Sequence, residues 1–374
     1  MLGRHRAQLR AALPLQGAGT ARGPGATRPG FVSVLVDAVK GLLEPRLFFF
    51  TIAFAGFWLM FYQLFDILPN FIDDWVDSRA ARDSLVSITW EGAVPSVNGG
   101  NLTQEWMINF NALLISFLAF LVGFLTGRIR SLTAIVVGIA ISAVGIYALG
   151  MSMSGWWILG AIALFSLGEM MANPTKMRYL ASIAPPGKEG QYMGYVNMTV
   201  GIGWSIGSIV AGEMYQEGGD KVVLASRYLR EHAGMSAESV AALDRGEVME
   251  VFQRTVGVDA WGARDLLWST YEPYAMWLVF TLIGIGSMLL LVVYDRVTRA
   301  AASNPAHSFN THGHVWVTSA LVPIVLGLVA ACVFRFSGAV LVQAIMFGLL
   351  LVASFFHRAA PAASPAKPAA KGAA

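Results

Sequence analysis

Eight runs of about 20 predominantly apolar residues recur along this chain, each long enough to cross the hydrocarbon core of a bilayer as a helix. They lie at Leu47–Phe71, Trp106–Gly127, Leu132–Gly150, Gly155–Pro174, Gln191–Met214, Tyr274–Tyr294, Val315–Phe334 and Ala339–Phe356, and the fourth is expected to continue past Pro174 towards Ile183. In hydrocarbon, backbone polar groups must be satisfied within the segment itself, so such runs specify helices. The expected fold class is an all-α polytopic membrane protein. Composition agrees: 56% of the 374 residues are hydrophobic and 13% charged, against about a quarter charged in a typical soluble domain.

Between the runs, charge is distributed by side. Basic residues predominate on the side that holds both termini, including the short turns with Arg128, Arg130 and Lys188, whereas acidic residues predominate opposite. The positive-inside bias then places both termini in the cytoplasm and the chain in a plasma membrane or bacterial inner membrane. Residues 1–46 read as a disordered cytoplasmic segment without the apolar core of a signal peptide. Residues 47–294 form a six-helix unit with outer loops 72–105 and 215–273. Residues 295–357 supply a linker and an additional hairpin, and 358–374 a low-complexity tail. The amphipathic stretches Val222–His232 and Val240–Val256 are expected to cap the outer mouth or to stiffen the helix ends.

Polar residues inside the runs mark the candidate site. Glu169 lies well inside the fourth span with Asn173 at i+4 and Pro174 at i+5. Proline removes a backbone donor and frees a carbonyl, so carboxylate, amide and helix break fall within about one and a half turns. Ionisable groups at membrane depth are costly and normally face a protein interior or a wet path. A pathway role and a buried, purely structural carboxyl are the two meanings open to Glu169. Tyr62, Gln63 and Asp66 share one face of the first span, where they line a path or belong to an interfacial belt. Asn109 and Asn111, two apart on the second span, point in different directions, so one at most faces a cavity. Lys176 and Arg178 are expected to snorkel at the inner surface, and Arg128, Arg130, Lys176 and Lys188 to form an inner gate. Gly203 and Gly207 on the fifth span suit close helix packing, with Trp204 between them packing or shaping a cavity.

These residues resemble the C-terminal half of a major facilitator superfamily transporter, most closely the proton-coupled oligopeptide transporter branch. Phe57-Trp58 through Tyr62-Gln63 is similar to that branch's seventh helix. Gly168-Glu169 through Pro174, Ala184-Pro185 and Gly190 to Gly194 are similar to its tenth helix, turn and eleventh helix. The resemblance implies that Glu169 meets a charged end of a peptide or a proton, with Trp58 and Trp204 shaping the cavity. It also implies that the family's six amino-terminal helices are missing, so that the chain is either a fragment of a split or truncated gene or pairs with another chain or with itself to complete the cavity. The function expected is secondary transport of small polar solutes, with proton-coupled di- or tripeptide uptake as the finer form. The alternative is a non-transporting membrane scaffold or receptor. No His pair, nucleophile–base pair or phosphate loop suggests an enzyme, a single cysteine, Cys332, excludes a disulfide framework, and neither a cofactor, a metal nor nucleic acid is expected.

Overall fold

The computed structural model describes residues 30–42, 44–97 and 99–303. The two runs at 315–334 and 339–356, the tail and residues 1–29 lie outside the described residues. The chain divides after Gly41 into two units, and the described residues of the first are Gly30 and all but the last residue of the helix α1, Phe31–Leu42. Over its own residues that helix replaces the disorder expected there, and residues 1–29 of the same expected segment lie outside the described residues. Apart from the exposed Val32 and Val36, the helix's apolar residues recur at three- and four-residue intervals (31, 34, 35, 38, 39, 42), the period of an amphipathic helix.

The rest is helical almost throughout. The first span is broken into α2 (Pro45–Phe61), α3 (Gln63–Asp66) and α4 (Leu68–Trp75). Pro69 explains the second interruption, at Ile67, since it cannot donate to the carbonyl four residues back. At the first, Tyr62, the Leu59 carbonyl receives the side-chain amide of Gln63 at 2.7 Å. Then come α5 (Arg79–Ile88), a short antiparallel hairpin (β1 Ser96–Val97, β2 Asn101–Leu102), α6 (Gln104–Thr126), α7 (Ser131–Leu149), α8 (Gly155–Ile183) and α9 (Glu189–Gly218). The outer cap contains α10 (Lys221–Glu231), α11 (Ala237–Ala241), α12 (Arg245–Val256) and α13 (Ala260–Tyr271), and α14 (Ala275–Ser303) closes the described chain.

Five of these helices are long and apolar enough to cross a membrane: Arg46–Asp66, Gln104–Thr126, Ser131–Leu149, Gly155–Ile183 and Ala275–Arg299. The chain is a multi-pass, all-α membrane protein. The expected fifth run, Gln191–Met214, is contained in the continuous 30-residue α9 but is not among those five. Its Gly, Ser, Thr and Asn residues dilute the apolar character that a span is recognised by. Such small residues serve helix contact instead. A Cβ on Gly203 would come within 2.4 Å of the Ala55 carbonyl and one on Gly207 within 3.1 Å of the Leu59 carbonyl, whereas Gly201 and Gly212 face open space. The α9 backbone therefore rests on α2 through two glycines.

The bundle is a chain of neighbours in which α2 packs against α9 and α14, α7 against α14 and α8, and α8 against α6. The closest contact is between α7 and α8. A Cβ on Gly138 would sit 2.7 Å from the Gly168 carbonyl, and one on Gly168 would sit 2.4 Å from the Gly138 carbonyl. By contrast α6 turns Leu113, Phe117, Phe120, Leu121 and Phe124 outward. Such a surface is a liability in water and natural against acyl chains.

The cap is built by soluble-protein rules. Asp220 accepts from the Val222 and Val223 amides, Ser236 from Ser239 and Asp259 from Gly262, while Asp244 and Glu247 form a capping box. The single amphipathic stretch expected over Val240–Val256 is two helices, α11 and α12, because the Asp244 box starts a new one. Leu224, Leu229, Val240, Val248, Phe252 and Leu267 fill its core. The two outer loops do meet: Arg79 and Arg264 lie 4.0 and 4.5 Å from the Trp261 ring, and the Trp75 indole donates to the Gly219 carbonyl at 2.8 Å.

Candidate functional site

The membrane-embedded site is organised by α8. Pro174 lies inside this helix, which runs on to Ile183, so the expected helix break is corrected to a missing rung. One absent N–H is tolerated because the ladder resumes on both sides and Pro174 itself faces outward. After Ile183 the chain reverses in a tight turn. The Lys188 amide donates to the Pro185 carbonyl at 3.0 Å, with Pro186 second and Gly187 third at φ +83°. That is a type II turn, whose third position needs a glycine-like conformation.

Glu169 is 8% exposed. Its Oε2 accepts from Asn111 Nδ2 at 3.0 Å, and the same amide nitrogen donates to Ser166 Oγ at 2.9 Å. Ser166 in turn donates to the Ile162 carbonyl at 2.7 Å. Of the two asparagines on α6, Asn111 is the one brought to the carboxylate, whereas Asn109 is exposed. Ser166 was not singled out in the sequence, although its place one turn before Glu169 puts it on the carboxylate's face. Asn173 is half-buried on the same helix.

A second group lies between α2 and α9. Tyr62 and Trp204 stack with ring centroids 4.7 Å apart and planes at 12°. Asp66 Oδ2 accepts from Ser208 Oγ at 2.7 Å. Gln63 is fully buried against Gly207, its Oε1 without a hydrogen-bond partner among the described residues. Tyr62, Gln63 and Asp66 therefore do share one face, and that face is the one turned to α9.

Lys176 overturns the expectation of a snorkelling anchor. It is 1% exposed, with Nζ 4.4 Å from the Trp58 ring centroid and 5.0 Å from that of Phe54. The physical reason is register. Seven residues after Glu169, Lys176 falls on the same inward face of α8, where Arg178 does not; Arg178 is exposed and donates to Thr175. Among the described residues Lys176 has no ion pair and no hydrogen bond. Burying an ammonium costs several kcal/mol, and a desolvated cation–π contact returns about 2 kcal/mol. Among the described residues the Trp58 indole N–H is also buried without a partner.

The other residues expected at an inner gate stand apart. Arg130 pairs with Asp295 of α14 at 2.5 Å, and Asp295 also binds Arg299. Arg128 lies 4.2 Å from the Phe124 ring, and Lys188 is exposed at the start of α9. Among the described residues no ion pair links any of them to Glu169.

Comparison with known proteins supports a transporter family rather than an enzyme. Residues 79–226 match the Major Facilitator Superfamily. The chain is similar to two proteins named multidrug resistance protein MdtH. For that of Proteus mirabilis the identity is 31% over 84 residues, 22% of this chain and 21% of the relative. For that of Edwardsiella ictaluri it is 23% over 207 residues, 55% of this chain and 44% of the relative. The matched stretch thus spans less than half of either curated relative. No solved structure matches.

Proposed function

We propose that this chain is one wall of a secondary transporter for small solutes, in which Glu169 is the carboxylate that binds a cationic group of the cargo or a proton. The observation that carries this is the position of Glu169, buried within a span and held by a neutral amide from another helix rather than by a cation. A carboxylate stabilised only by hydrogen bonds retains its capacity to take up a positive charge, and an intramembrane ionisable group with that freedom marks a transport path. The family match over 79–226 supports the same conclusion. Both termini lie in the cytoplasm in this proposal, on the strength of the charge asymmetry.

The cargo is a small solute. Proton-coupled uptake of di- or tripeptides is the finer form drawn from the resemblance of Gly168–Gly212. Export of drug-like compounds, the activity in the names of the two relatives, is favoured by the half-exposed Tyr62–Trp204 stack, a flat aromatic surface suited to planar rings.

The test is uptake and efflux of labelled dipeptides and of a cationic aromatic dye in cells making the chain with its natural partners. Glu169→Gln is expected to abolish movement of the true cargo while leaving the amount of protein in the membrane unchanged. Movement at the wild-type rate in that variant removes Glu169 from the mechanism. Trp204→Ala lowering dye efflux but not peptide uptake selects the drug-like cargo.

A further inference from the structure

We infer that Lys176 and Trp58 form the binding site of one small monovalent anion, a halide or the carboxylate head of a small acid, lodged where α8 meets α2. Two polar groups meet there, and both can only donate: an ammonium carries three N–H donors and no acceptor, an indole one donor and none. Lys176 is 1% and Trp58 5% exposed, and the ammonium nitrogen lies 4.4 Å from the indole ring. Among the described residues Trp58 Nε1 is buried without a hydrogen-bond acceptor, and the contacts of Lys176 Nζ are the Trp58 and Phe54 rings.

The protein does not supply the missing acceptor from α8 itself. Glu169 is two turns away, about 10 Å along the axis, and is engaged by Asn111. The faces of Trp58 and Phe54 attract the cation but leave the indole N–H unsatisfied. Buried polar groups in folded proteins are normally hydrogen-bonded, and a single acceptor of negative charge lying between the two would satisfy both. One cation calls for one negative charge, which favours a halide or carboxylate over sulfate or phosphate. The site is distinct from the Glu169 site and stands whether or not the chain moves a solute.

The experiment is thermal unfolding of the purified full chain in detergent at fixed ionic strength, replacing isethionate stepwise by chloride, bromide or acetate. For the wild type the unfolding temperature is expected to rise saturably with at least one of these anions, by mass action. Chloride and bromide acting alone identify a halide site, and acetate acting alone identifies a site for the carboxylate of an organic acid. The rise should vanish in Lys176→Met and persist in Lys176→Arg. Trp58→Phe should weaken half-saturation about tenfold, as expected from losing one hydrogen bond to a charged group. A wild type indifferent to all three anions overturns the inference, and so does a rise that survives in Lys176→Met. Should Lys176→Met fail to fold, Trp58→Phe decides, and an unshifted half-saturation there overturns it equally.

Discussion

Asn111 and Glu169 are joined across two membrane helices, the amide nitrogen 3.0 Å from the carboxylate oxygen. This bond gives the acid a fixed orientation without neutralising it. Removing the amide by Asn111→Ala should destabilise the protein by about 1.5–3 kcal/mol, the usual cost of losing a hydrogen bond to a charged or chargeable group. Asn109→Ala, at an exposed position two residues earlier, should stay within about 0.5 kcal/mol. Unfolding in detergent measures both, and equal effects would remove the distinction between the two asparagines.

The glycines of α9 are separable by the same measurement. Gly203→Ala places a methyl group 2.4 Å from the Ala55 carbonyl, and overpacking of this kind costs about 1–3 kcal/mol. Gly212→Ala meets nothing within 4 Å, so the lower entropy of the unfolded chain should make it neutral or stabilising by about 0.4–1 kcal/mol. A stability series that failed to rank these two variants in that order would contradict the α2–α9 contact.

The capped end of the bundle should respond to pH through two aspartates of opposite habit. The Arg79 guanidinium bonded to Asp77 holds that carboxyl below its ordinary value. Its contribution to stability is therefore present above the ordinary carboxylate value and lost as pH falls through the depressed one. Burial pushes Asp74 the other way, against hydrogen bonds from Tyr215 at 2.5 Å and from Lys221. Its contribution is complete below the ordinary value and is lost as pH rises through the raised one. Unfolding temperature against pH should accordingly lose its acid-side decline in Asp77→Asn and its decline at higher pH in Asp74→Asn.

Much of the fold was legible because lipid leaves few alternatives. Apolar runs of sufficient length predicted the helices α2, α6, α7, α8 and α14, and helical period alone put Tyr62, Gln63 and Asp66 on one face. What escaped was set by partners that no single segment reveals. The fate of Lys176 depended on Trp58 and Phe54, more than 100 residues earlier, and a lysine near a helix end defaults to the surface unless its register is followed. The choice between Asn109 and Asn111 needed the position of α8. The two helices within Val240–Val256 were visible in principle, since Asp244 followed at the third place by Glu247 is the signature of a helix start. The pairing of Ser208 with Asp66 was hidden because a serine in a glycine-rich stretch reads first as a small residue.

The mutual seating of Gly138 and Gly168 carries a mechanical consequence. Each helix rests its carbonyl in the notch where the other lacks a side chain, so neither can slide or roll without collision. The neighbouring acid is in effect bolted to a rigid two-helix plank. In the transport proposed above, access to Glu169 would change by movement of the surrounding helices around a stationary post, not by displacement of the post itself.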